Sequence, residues 1–171
     1  MIQSFTAAAD KDVVFAKVQQ FIDEQGFTVV SKDHARPWGG FFVLEESEAP
    51  KFISTFFPHL SLEDFAGYEK LSPKILVVAP NKRLSWQYHH RRAEIWRVIS
   101  GEAAVATSLT DVEAEKHSLS EGELVRLSQG QRHRLIGLRQ WGVIAEIWQH
   151  TDANHPSDEE DIVRVQDDFG R

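Results

Sequence analysis

The sequence predicts an all-β barrel or sandwich led in by one amphipathic helix, and three observations carry that prediction. From Lys74 onward, short apolar runs of β type recur at brief intervals. The dipeptides Pro80-Asn81, Ser100-Gly101, Glu121-Gly122, Gln129-Gly130 and Trp141-Gly142 punctuate these runs as turns. A clear helical period opens the chain ahead of them and does not return on that scale.

In order along the chain, Val14, Val18, Phe21 and Ile22 set the helix over residues 12–25, with Asp10 as its cap and Gly26 as its stop. Residues 27–30 form a short apolar strand. Arg36-Pro37-Trp38-Gly39-Gly40 then turns the chain into a second strand over residues 41–45. Residues 46–72 form a less regular insert that carries Phe52, Phe56, Phe57, Phe65 and Tyr68. Within it Ser61-Leu62-Glu63-Asp64 reads as a capping box for one short helix. The barrel runs from residue 36 to residue 171. Its tail, residues 158–171, is rich in charge around Ile162, Val163 and Val165.

The whole of residues 1–171 is expected to be a single domain, because this length buries one real core and the composition never shifts. A hydrophobic content of 42%, with five Trp and eleven Phe, argues for a packed globule. No apolar run is long enough for a membrane span, and the first residues lack the basic and apolar segments of a secretory signal, so a cytoplasmic placement is expected. A net charge of −7 argues against sequence-independent binding to nucleic acid. With no cysteine, disulfides, thiolate metal sites and a Cys nucleophile are excluded, so a metal here must use imidazole, carboxylate or amide ligands.

Gln87 and His89 are two residues apart in a strand-like run and therefore share a face. His90-Arg91-Arg92 implies a turn, after which Glu94 returns to the same interior. Gly130-Gln131-Arg132-His133 starts a later strand and brings a second imidazole from across the barrel. Two imidazoles, one carboxylate and one amide suit one divalent ion: zinc first, with manganese, iron, cobalt or nickel equally compatible in ligand type. Of the other histidines, His59, His90, His117, His150 and His155 are assigned to the surface, the rim or the core.

These residues carry a family resemblance. Gln87-x-His89-x4-Glu94-x6-Gly101 followed by Gly130-x2-His133 resembles the paired motifs of the cupin superfamily. The stretch from Leu84 to Trp96 is similar to the cupin domain of type II phosphomannose isomerases, and so are Arg36-Pro37-Trp38-Gly39, Gly130 to Leu135, and the C-terminal signature from Glu160 to Arg171. Asn81, Trp86 and Ser128 depart from the family pattern without removing a ligand. The N-terminal helix and the insert lie outside that pattern, and the nucleotidyltransferase domain often fused in this family is absent from the sequence.

The resemblance implies a double-stranded β-helix, or jelly-roll barrel, and interconversion of mannose 6-phosphate and fructose 6-phosphate, with a sugar phosphate as the small-molecule partner. It implies Arg164 as a catalytic or substrate-orienting cation and Lys74 as a second candidate. Arg171 is a candidate for phosphate. Trp38, Trp86, Trp96 and Trp148 could stack on a sugar or pack in the core, and Trp38 is taken as the pocket candidate. Two other readings share the same ligands: a non-catalytic cupin that senses a sugar phosphate, and a metal-dependent cupin oxygenase. Edge-strand pairing and aromatics expected on the surface of the insert predict a homodimer.

Overall fold

The computed structural model describes residues 1–171. Helix α1 (Lys11–Glu24) is followed by β1 (Val29–Asp33), β2 (Gly39–Leu44), α2 (Ala49–Phe56), β3 (Lys74–Val78), β4 (Trp86–Tyr88) and β5 (Arg92–Ser100). The chain continues through β6 (Ala103–Ser108), β7 (His117–Leu119), β8 (Leu124–Leu127), β9 (Arg132–Gly137), β10 (Gly142–His150) and β11 (Val163–Gln166). Two antiparallel sheets result. One has six strands in the order β1-β2-β3-β10-β5-β8, the other five in the order β11-β4-β9-β6-β7. No helix is long and apolar enough to cross a membrane.

The predicted helix forms almost where the period placed it. Val14, Phe15, Val18 and Ile22 are its buried face. Asp10 is the N-cap residue, as expected, and its carbonyl accepts the Val14 N–H at 2.9 Å, although its side chain makes no capping bond. The stop is as expected: Gly26 adopts φ +75, and Phe27 N–H reaches the Ile22 carbonyl at 3.1 Å while Gly26 N–H reaches Asp23 at 2.9 Å. Those two bonds complete a Schellman motif, which needs a left-handed residue at this position.

The insert holds more helix than its sequence pattern shows. Its main helix is α2, with Pro50 in its first turn and Phe52, Ile53 and Phe56 on one buried face. The expected helix near Ser61 is only a 3-10 turn, Leu62–Phe65, although its capping box is present. Phe52, Phe56, Phe57 and Phe65 are all buried. They fill a core and offer no exposed aromatic surface, so the expected contact through them is withdrawn.

Strand alternation divides the six-stranded sheet between two cores. On β3, Ile75 and Val77 face outward and join Val14, Phe15, Val18, Ile22, Phe52 and Ile53 in a 22-residue apolar cluster under the helices. Leu76 and Val78 face inward and join a 12-residue cluster inside the barrel. On β10, Val143, Ala145 and Ile147 belong to the outer cluster and Ile144 to the inner one. Because both faces are covered, these strands read as apolar runs, broken on β10 only by Glu146 before Gln149. Gly101 turns β5 into β6 with φ +73, and a Cβ there would lie 2.0 Å from the Trp141 carbonyl oxygen, so only glycine fits.

Candidate metal centre and its pocket

The alternation of β4 places Gln87 inside the barrel, and His89 follows it on the same side; both are buried. The turn expected after His89 is shorter than the sequence reading has it. His90 and Arg91 make it, whereas Arg92 already opens β5 and is buried inside the barrel, a correction to its placement in the loop. Glu94 lies two residues along β5 and faces the same interior. Strand β9 is the neighbour of β4 in the same sheet and pairs with it so that His133 stands directly opposite Gln87, which corrects its expected place across the barrel; it is Glu94, on β5, that comes from the other sheet. The predicted quartet therefore meets, from three strands.

The distances are short. His89 Nε2 lies 3.2 Å from His133 Nε2 and 3.4 Å from Glu94 Oε1, and His133 Nε2 lies 3.2 Å from Glu94 Oε2. Each imidazole gives its Nδ1–H to a backbone carbonyl, His89 to Asp161 at 2.7 Å and His133 to Gln131 at 2.9 Å. Those bonds select the tautomer that leaves a lone pair on each Nε2. Burial, only partly offset by the Glu94 charge, lowers the His89 pKa to about 3. Glu94 would be pushed up by burial, but Arg92 and the two imidazoles hold it well below the usual carboxylate range.

The outcome is a convergence of acceptors. Two imidazole Nε2 atoms face one another, that of His89 also 3.1 Å from Arg92 Nη2, and Glu94 Oε2 is buried beside them with no hydrogen-bond donor. Such an arrangement is costly unless a cation sits among the acceptors, so the donor set fits a divalent ion. His89, Glu94 and His133 offer ligand atoms that all lie within 4.8 Å of one another. Gln87 stands at the edge of this group. Its Nε2 is 3.3 Å from His89 Nε2, and its Oε1 accepts the Ser85 hydroxyl at 2.7 Å. A half-turn of the carboxamide would exchange the two ends.

Above the cluster lies a pocket whose lining includes Trp38, Lys74, Gln87, Glu94, Arg164 and Arg171. The cations and the tryptophan singled out in the sequence thus meet around the ligands. Lys74 is buried, with its ammonium 3.5 Å from the Trp148 ring centroid and paired with Glu159. Burial lowers its pKa, against the pull of Glu159 and Glu146. Arg171 is held by Asp167 at 2.9 Å. Arg164 has a buried Nε without a partner. Burial and then Arg171 depress its pKa, with Arg36 acting in the same direction. Trp96 and Trp148 also line the pocket, whereas Trp86 packs with Ala104, Ala106 and Ile136 elsewhere.

Several pocket residues escaped the sequence reading. Arg92 bonds Glu94 Oε1 at 2.8 Å and the Ser157 hydroxyl at 2.9 Å, and its guanidinium lies 3.6 Å from the Trp148 ring centroid. Asp161 accepts backbone N–H bonds from His90 and Arg91, both at 3.0 Å, so it anchors the turn while its own carbonyl orients His89. Glu146 is a buried carboxylate on β10 that accepts indole N–H bonds from Trp96 at 2.7 Å and Trp148 at 2.9 Å. Its one readable signal was a charge inside the apolar run of residues 143–148.

Two facing antiparallel sheets around an interior cluster of His and Glu define the protein as a cupin. In agreement, the chain resembles the capsular polysaccharide assembling protein CapF of Staphylococcus aureus, with a TM-score of 0.53 and 15% identity over 82% of this chain and 34% of CapF. A CapF structure with the inhibitor 3-isopropenyl-tropolone gives a TM-score of 0.55 at 14% identity, over 80% of this chain and 34% of that one. More narrowly, residues 51–167 match the family described as mannose-6-phosphate isomerase C-terminal, and the chain belongs to that family.

Curated relatives agree. The mannose-1-phosphate guanylyltransferase ManC of Salmonella typhimurium is 32% identical over 103 residues, which is 60% of this chain and 20% of ManC. The xanthan biosynthesis protein XanB of Xanthomonas campestris is 32% identical over 125 residues, 73% of this chain and 25% of XanB. The chain thus spans only a fifth to a quarter of these relatives. Asn81 is one of the residues at which the sequence departs from the pattern it resembles. Asn81 has φ +58, a left-handed conformation that asparagine tolerates better than other side chains, which explains why the change is accepted.

Proposed function

We propose that this protein is a metal-dependent aldose-ketose isomerase that interconverts mannose 6-phosphate and fructose 6-phosphate, or acts on a closely related sugar phosphate. The observation that carries the reading is the layering of one pocket. An unpaired carboxylate oxygen, Glu94 Oε2, lies at its floor between two imidazoles, and cations without full partners, Arg164 foremost, line the space above it. A sugar phosphate has matching halves: hydroxyl and carbonyl oxygens at one end, a dianion at the other.

His89, Glu94 and His133, with Gln87 beside them, would hold the ion, zinc being the first expectation. A bound divalent ion supplies stabilisation of negative charge developing on sugar oxygens. The remaining work falls to the chain. Arg164 offers a permanently charged fork to the phosphate or to sugar oxygens, and Arg171 and Arg36 reinforce the positive field around it. Lys74 adds an ammonium where β3 begins. Trp38 and Trp148 offer aromatic surface to the apolar parts of a sugar. Arg92 and Asp161 position Glu94 and His89 without needing to touch substrate.

The test is a coupled assay for fructose 6-phosphate formed from mannose 6-phosphate, on protein stripped with a chelator and restored with single divalent metals. Metal-dependent turnover that disappears in His133→Ala is the expected result. Metal binding and sugar-phosphate binding with no turnover would instead make the protein a sensor. Pairing of two chains through the exposed edge strand β1 belongs to the same reading, and gel filtration giving a monomer at micromolar concentration would refute it.

A further inference from the structure

We propose that Glu146 is the catalytic base, the group that moves a proton between the two adjacent carbons of the substrate. The proposal rests on the isomerase reading above and deepens it. Four observations carry it. Glu146 is 4% exposed, yet its carboxylate lines the same pocket as Gln87, Glu94 and Arg164. Its register on β10 sets it beside Trp96 of β5 and Lys74 of β3, two residue pairs along from Glu94, which lies opposite Trp148. Two indole N–H groups hold its two oxygens in place from opposite neighbours, Trp148 on Oε1 and Trp96 on Oε2. Finally, it makes no ion pair. The cations that face it are already engaged, Arg92 with Glu94 and Lys74 with Glu159.

A buried carboxylate held only by neutral donors is expensive to keep charged, so it exchanges a proton far more readily than a salt-bridged one. Glu94, its diagonal neighbour on the same face of the adjacent strand, is the opposite case: Arg92 pairs with it at 2.8 Å and favours its charged form. Burial first, and the Glu94 charge second, raise Glu146 to about 7, against the pull of Lys74, Arg92 and the Trp96 N–H. Two carboxylates in one site with environments that drive them apart are the arrangement expected of an ionised ligand and a working acid-base group.

The step balances within the substrate. In the aldose-to-ketose direction the Glu146 carboxylate takes the proton from C2. The C–H electron pair forms the C1=C2 bond, and the carbonyl pair passes to O1, which takes up a proton. O2 then releases its hydroxyl proton, its electron pair forms C2=O2, and the C1=C2 pair recovers the proton from Glu146 at C1. One proton leaves O2 and one arrives at O1, so no oxidant or reductant is consumed.

The experiment compares wild type with Glu146→Gln, both loaded with zinc, using mannose 6-phosphate in D2O. Proton NMR follows deuterium entering C1 and C2, a coupled assay gives kcat, and calorimetry and metal analysis give sugar-phosphate and zinc binding. The expected result is a fall in kcat and in deuterium incorporation of about 10²- to 10⁴-fold, with zinc content and sugar-phosphate affinity unchanged. Glu146→Asp, which keeps the carboxylate but withdraws it, should recover part of the rate and decides the matter if the glutamine variant does not fold. A Glu146→Gln enzyme within about tenfold of wild type, a loss of barely 1.4 kcal/mol, overturns the proposal while leaving the isomerase intact. Loss of zinc or sugar-phosphate binding in the variant also overturns it, since Glu146 would then be a structural support. No turnover by wild type in any metal overturns the isomerase reading and this proposal together.

Discussion

The six-stranded sheet has two faces, and they solve opposite problems. Its outer face holds an apolar core under α1 and α2: Phe52, Phe57, Ile22 and Ile75 are all fully buried there among hydrophobic neighbours. Its inner face carries Lys74, Arg92, Glu94 and Glu146 on the strands whose alternate residues build the outer core. Burying charge costs stability, whereas burying apolar surface supplies it. The comparison teaches that helices placed outside the barrel stabilise it, which frees its interior for groups that a small barrel alone would hold poorly.

The largest effect that could break this division is in the outer core. Phe52→Ala removes a ring that lies 4.9 Å from Phe56 and 5.9 Å from Phe27, centroid to centroid, and should cost about 3–5 kcal/mol in denaturant unfolding. Much of the pocket's chemistry should survive in the fraction that stays folded. If zinc binding is lost in step with stability at low denaturant, the two faces are not independent.

Inside, the next effect is on binding rather than folding. Asp161→Ala frees the turn at His90 and Arg91 and the carbonyl that orients His89, so zinc affinity should weaken by about 10- to 100-fold. Titration against a competing chelator measures this, and an unchanged affinity would mean the turn holds itself.

A smaller effect concerns acid. His150 is buried, accepts the Ser157 N–H on Nδ1 at 2.9 Å and is bonded to Ser72 at 2.8 Å, and burial lowers its pKa to about 4. Between 4 and its unperturbed value near 6.5 the unfolded chain binds the extra proton, so this contribution to stability is present above about 6.5 and is lost as pH falls toward 4. His150→Gln should therefore differ most from wild type near neutrality and least near pH 4.5. Urea midpoints at both values check it, and a constant gap would show that the imidazole does not titrate as described.

The smallest effect sharpens the comparison most. Lys74→Met replaces a buried ammonium with an apolar chain of similar length and leaves Glu159, which is half exposed, to water. Its stability should change by less than about 1 kcal/mol, while turnover falls. A large destabilisation would show that the interior charges hold the barrel together after all.

Much of this was readable from residue order. The two-residue spacing of Gln87 and His89, the turn before Glu94 and the glycine before His133 were enough to predict convergence, because strand alternation is rigid geometry. Lys74, Arg164, Arg171 and Trp38 do share the pocket. What stayed hidden has physical reasons. Helix α2 is too short for its period to stand out, and its Phe residues look the same whether buried or exposed. Asp161 acts on His89 through a backbone carbonyl, which no side-chain pattern reveals. Glu146 owes its properties to two indoles that are distant or inconspicuous in sequence, and Arg92 looked like part of a polar loop although Glu94 and Trp148 draw it inward.

The segment from Ser157 to Arg164 has a kinetic consequence. It supplies the carbonyl for His89, the partner for Lys74 and the hydroxyl for Arg92, contacts that span 72, 85 and 65 residues of chain. Such closures are slow, because each costs loop entropy before it returns any contact. Helix α1, by contrast, closes its backbone hydrogen bonds between residues four apart, although its buried face still needs the outer core. Refolding should then show helical dichroism well before competence to capture zinc, and β11, whose one strand partner is β4, should be among the first elements to exchange its amide protons.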